Sequence, residues 1–108
     1  MFKKIPYDQN TLTELTDEQI EAVKKEFGDL FLITVEDKKC YLHKPSRAVL
    51  DLAVQSAAKR SSMFDETIMR NCWLAGNKEI LEVDEYFYAA SKQIDEVIKF
   101  KTSELKKL

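Results

Sequence analysis

The feature that most constrains this chain is the run Leu30-Phe31-Leu32-Ile33-Thr34-Val35, apolar or β-branched throughout and set between Gly28-Asp29 and Glu36-Asp37. The run is too short for a stable helix, and its β-branched residues crowd a helical turn, so it reads as a strand. Glu36-Asp37-Lys38-Lys39 reads as a four-residue polar turn and Cys40-Tyr41-Leu42-His43 as the returning strand, which makes a β-hairpin over 30–43. Both faces of the first strand are apolar, with Leu30, Leu32 and Thr34 on one side and Phe31, Ile33 and Val35 on the other. A two-stranded ribbon is marginal in water. One face must therefore rest on helices, and the other needs cover from the N-terminal segment or from another chain.

The rest of the chain is written for helices. Only two Gly and two Pro occur in 108 residues, with 44% hydrophobic and 33% charged residues, a balance that suits one globular domain over 1–108. Residues 1–13 read as an irregular arm. Thr16 with Gln19 forms a capping box, followed by Ile20, Val23 and Phe27 at helical spacing and Gly28 as a stop, so a helix is expected over 14–28. Lys44-Pro45-Ser46 suits a helix entrance, and 46–107 is expected to be helical. Within it, 47–59 and 63–75 form either one kinked rod or a helical hairpin. Ser62 and Asp65 make a weak capping box, and Gly76-Asn77 a stop. After a linker over 78–83, Asp84 caps a last helix running to about Lys106. The expected fold class is α+β, predominantly helical: an N-terminal helix, one β-hairpin, then two or three packed helices.

A search for chemistry excludes most classes. His43 is the only histidine, and Cys40, three strand positions away, points to the opposite face, so no metal site is expected. Cys40 and Cys72 form no CxxC pair and read as reduced, partly buried thiols. No activated nucleophile, GxSxG, glycine-rich phosphate loop or dinucleotide fingerprint is present. Glu82, Asp84 and Glu85 read as charges at a helix start rather than an acid–base pair. No enzyme activity, cofactor or small-molecule substrate is expected. The net charge of −2 speaks against nucleic acid, although Lys38, Lys39, Lys44, Arg47 and Tyr41 form one basic, aromatic-bearing patch. Lysine on a hairpin edge more often guards against strand-to-strand aggregation. No run reaches the length of a membrane span, and no signal-peptide core opens the chain, so a cytoplasmic location is expected.

The aromatics point to binding. Tyr86-Phe87-Tyr88 cannot all face one core from one helix, so at least one is exposed or covered by a partner. Tyrosine and tryptophan bury large areas at interfaces with little entropy loss. The candidate partner-binding residues are Phe31, Ile33, Tyr41, Trp73, Tyr86 and Tyr88.

Over residues 30 to 98 a hairpin leads into Lys44-Pro45-Ser46-Arg47-Ala48 and a helix. Asn71-Cys72-Trp73-Leu74-Ala75-Gly76-Asn77-Lys78-Glu79-Ile80 follows, then an acidic entry, Asp84-Glu85, into a last amphipathic helix. This order resembles the small phage and prophage proteins grouped as tail assembly chaperones or structural-module proteins. The resemblance implies a non-enzymatic assembly factor that binds apolar segments of another phage structural protein, with self-association as a further property. It leaves two alternatives open: a structural component retained in the virion, and a small nucleic-acid-associated regulator.

Overall fold

The computed structural model describes Tyr7, residues 11–99 and residues 102–108. The expected irregular arm over 1–13 therefore lies, apart from Tyr7 and 11–13, outside the described residues.

Helix α1 (Asp17–Phe27) starts at the expected capping box. The Thr16 hydroxyl accepts from the Gln19 amide at 3.2 Å, and the Thr16 amide donates to Gln19 Oε1 at 2.9 Å. It stops at Gly28, whose φ of 81° few L-residues adopt, with the Gly28 amide donating to the Lys24 carbonyl. Strands β1 (Leu30–Val35) and β2 (Lys38–His43) form the antiparallel hairpin, with Leu30 opposite His43 and Val35 opposite Lys38. The turn is tighter than the sequence suggested. Only Glu36 and Asp37 lie in it, with Glu36 at φ 56°, because Lys38 and Lys39 pair into the ladder.

Beyond the hairpin, α2 (Arg47–Ala57) is capped by Ser46, whose hydroxyl accepts from the Val49 amide at 3.3 Å. Helix α3 (Met63–Asn71) follows a turn and packs back against α2 as a helical hairpin, not a kinked rod. Ser62 makes no side-chain cap. Residues 73–75 are not helical. Strand β3 (Trp73–Gly76) pairs antiparallel with β2, giving a three-stranded sheet in the order β1-β2-β3. Leu42 sits opposite Trp73 and Tyr41 opposite Ala75, so Leu74 is an extra residue in the ladder. Asn77 extends the ladder by imitation: its amide donates to the Lys39 carbonyl while its Oδ1 accepts from the Lys39 amide.

The linker over 78–83 contains a short helix, α4 (Glu79–Glu82). Helix α5 (Asp84–Ser91) has Val83 at its cap position and no side-chain cap, so Asp84 is its first residue. The expected long last helix breaks at Lys92-Gln93, and α6 (Ile94–Val97) is only one turn. Residues 102–108 carry no regular structure and are exposed.

The protein is α+β with a helical majority. Its sheet is packed on both faces, but the cover over β1 is unequal: Phe31, Ile33 and Val35 meet the later helices, while on the other face only Leu30 is packed and Leu32 stays 55% exposed. One face, with Ile33, Cys40, Leu42 and Trp73, packs against Ala53, Ile68, Met69, Ile80, Phe87, Ile94 and Val97 from the later helices. The other face, with Tyr41, Leu74 and Ala75, packs against Leu15 and Val23, with Leu12, Ile20 and Phe27 alongside. The N-terminal segment is thus the cover on that side. It also serves one sheet edge, because the Gly76 amide donates to the Leu12 carbonyl at 3.0 Å.

Candidate functional site, an open sheet edge and its groove

Strand β1 is the opposite edge of the sheet. The two-residue turn makes Val35 and Lys38 a hydrogen-bonded pair, and such pairs alternate along an antiparallel ladder. Ile33 and Phe31 therefore bond to β2, while the amides and carbonyls of Leu30, Leu32 and Thr34 point away from it. The pattern on β2 agrees: Lys39 and His43 bond toward the β3 side, to Asn77 and to the Cys72 carbonyl. Among the described residues nothing pairs with the outward groups of Leu30, Leu32 and Thr34. An unpaired strand edge is a template for another extended segment.

A groove of about 420 Å3 runs along this edge, lined by Leu30 to Thr34 and, across it, by Gln93, Glu96 and Val97 around α6. Among the described residues, Glu96 is the only charged one in the lining. Asp29 and Glu36 stand exposed at the two ends of β1. The Lys44 ammonium lies 5.5 Å from the centre of the Phe31 ring. Leu32 is 55% exposed, a large apolar side chain in mid-strand on the uncovered part of the sheet. No charge interrupts the strand between Asp29 and Glu36, so the usual guards against edge pairing are missing.

The residues singled out from sequence fall in different places. The side chains of Ile33, Tyr41 and Trp73 are buried in the two core clusters, because both faces of the sheet are packed at these positions. Phe31 is half-buried and lines the groove. Tyr86 is half-buried against the core, and Tyr88 is 56% exposed on α5 beside the buried Phe87. The structure brings only Phe31 and Ile33 together, at the groove. Leu32, Thr34, Gln93, Glu96 and Val97 were not singled out as binding residues. The alternation of the strand marks Leu32, but which edge is open depends on β3, and that pairing is not written in the local pattern.

The remaining clusters are structural. Cys40 and Cys72 are free and fully buried, and desolvation pushes each thiol up to about 12. His43 stacks on Phe27 at 4.3 Å between ring centres and 15° between planes, with Nδ1 at 2.8 Å from the Lys44 carbonyl. Cys40 packs on the other face of the sheet, and among the described residues no three ligand side chains gather for a metal. The basic patch is largely engaged. Lys38 Nζ is 3.2 Å from Glu79 and Lys39 Nζ 2.7 Å from Glu14, each hydrogen bond raising the lysine pKa, while Tyr41 is buried. Among the described residues no helix is long and apolar enough to cross a membrane. No protein-family model, curated protein or solved structure matches the chain.

Proposed function

We propose that this chain is a non-enzymatic protein-binding module that takes an extended, apolar segment of another protein as an added strand on the outer edge of β1. The open edge beside its groove carries the reading, because backbone donors and acceptors at alternate residues, next to a partly apolar trough, are what strand addition requires. The setting we propose is the one the sequence resemblance implies: a phage or prophage assembly factor, of the tail assembly chaperone kind, acting in the host cytoplasm. A nucleic-acid role is less favoured, since Lys38 and Lys39 are spent on Glu79 and Glu14.

The test uses a parity in the strand. A proline at position 32 removes an amide that points outward, whereas its neighbours' bonds to β2 stay intact. Extended peptides from the structural proteins encoded beside this gene are titrated against the wild-type chain and Leu32→Pro. Binding by the wild type, lost in a variant of unchanged melting temperature, supports strand addition. Binding that ignores the proline, or none by any such peptide, refutes it. A mass inventory of purified particles separates an assembly factor, absent from them, from a retained virion component.

A further inference from the structure

We infer that the strand-binding edge of one copy is occupied by residues 102–108 of a second copy, in a reciprocal exchange of arms. This rests on reading the β1 edge as a strand-binding site, and it names the occupant in the absence of another protein.

The arm has the properties that the groove lacks. Thr102-Ser103-Glu104-Leu105-Lys106-Lys107-Leu108 has no regular structure, and every residue is exposed, with Leu105 at 99%. Two leucines held fully in water on an extended segment are an unfavourable arrangement unless something covers them. The arm carries Lys106 and Lys107 against one Glu104, while among the described residues the only charge lining the groove is Glu96, and both ends of β1 are acidic. Laid out as a strand, the arm puts Ser103, Leu105 and Lys107 on one side and Glu104, Lys106 and Leu108 on the other. The first side sets Leu105 against Phe31 and Val97 and brings Lys107 to Glu96. The second side brings an apolar or aliphatic stem over the exposed Leu32.

Length and origin also fit. Seven extended residues span about 23 Å, enough to run the whole of Leu30 to Thr34 at about 3.3 Å per residue. Val97 of α6 lines the groove and Thr102 follows it by five residues in sequence, so each arm is tethered close to the rim of its own site. Two copies related by a two-fold axis can therefore exchange arms over adjoining grooves, a closed arrangement that needs no third chain. The arm would hold the edge until a segment of higher affinity displaced it, and would shield an unguarded apolar strand from open-ended pairing.

The test is mass in solution across a concentration series, on full-length chains. The wild type is expected to reach twice the 12.6 kDa monomer mass. Leu105→Asp on the arm and Leu32→Pro on the edge should each weaken the dimer by about a hundred- to ten-thousandfold, because the two-fold axis repeats the loss of one buried leucine or one strand contact in both copies. The linkage is checked by mixing two variants, Thr34→Cys and Glu104→Cys, under mild oxidation. A disulfide joining one variant to the other supports the exchange, since native Cys40 and Cys72 are buried. A wild type that stays monomeric, or a dimer that survives Leu105→Asp or forms no such disulfide, overturns it. Peptide capture by Leu105→Asp, whose edge would be vacant, reports separately on the proposed function. Capture with a monomeric wild type sinks the exchange alone, and exchange without any capture sinks the function alone.

Discussion

Gly76 is the position where one methyl group should do the most damage. It ends β3 opposite Cys40, with φ at 147°, and a Cβ built there would meet the Cys40 Cα and the Lys39 carbonyl oxygen at 2.5 Å, and the Cys40 Cβ at 2.8 Å. Two of these three atoms are backbone of the central strand, which cannot yield without disturbing both ladders. Gly76→Ala should therefore combine overpacking of about 1–3 kcal/mol with backbone strain of about 1–3 kcal/mol. The sum, about 2–6 kcal/mol, is a large share of the 5–15 kcal/mol that roughly bounds a domain's stability. Gly28 supplies the control. Its φ is 81°, but nothing lies within 4 Å of an added Cβ, so Gly28→Ala carries the strain without the collision. The entropy that alanine removes from the unfolded chain is common to both variants and cancels in their difference. Urea unfolding, followed by fluorescence of the buried Trp73, gives both values. Equal losses at the two glycines would refute the close approach of β3 to β2 at this point.

Three further outcomes are expected. In solution dilute enough to be monomeric, Leu32→Pro should leave the melting temperature nearly unchanged, while Ile33→Pro, which removes a ladder bond beneath the helices, should cost about 3 kcal/mol or more in a thermal melt; equal losses would mean the edge is assigned the wrong way round. Ile68→Ala, in the fully buried core, should cost about 2–5 kcal/mol, against about 0.5 kcal/mol or less for Val54→Ala on the exposed side of α2, both read from urea midpoints. Cys40 and Cys72 are pushed from their ordinary 9.0 to about 12, so the folded chain keeps protons that the unfolded chain releases. Stability should fall as pH rises through that interval, and neither thiol should react with a disulfide reagent at pH 8 until the chain unfolds; prompt labelling of the native chain would contradict their burial.

The local signals that proved readable were those with a local cause. The capping box at Thr16 and Gln19, the Ser46 cap and the hairpin each depend on residues within a few positions of one another. The two-faced apolar run asks for cover on both sides: the later helices supply it for Phe31, Ile33 and Val35, whereas the N-terminal segment reaches Leu30 and leaves Leu32 exposed. Strand β3 was hidden because Trp73-Leu74-Ala75 has no β-branched residue and continues a helical stripe; what makes it a strand is the waiting edge of β2, some thirty positions earlier. The long last helix was overread for a similar reason. Its apolar spacing survives across Lys92-Gln93, but Ile94 and Val97 reach the core from a separate turn of helix. The groove depends on both features, since its open side follows from β3 taking the other edge and its far wall from the break before α6.

The helical cover of β1 has a consequence in time. Val35 is made long before Val97, the last of the buried residues that close over its face. At about 5–20 residues per second, the intervening sixty or so residues take about 3–12 s to synthesise. Throughout that interval the helical cover of Leu-Phe-Leu-Ile-Thr-Val is incomplete. Chains halted near residue 60 and released should aggregate or be held by host chaperones, whereas chains carried past α6 should not. A protein proposed to shelter the apolar segments of others thus passes its own synthesis as a substrate for the same kind of protection.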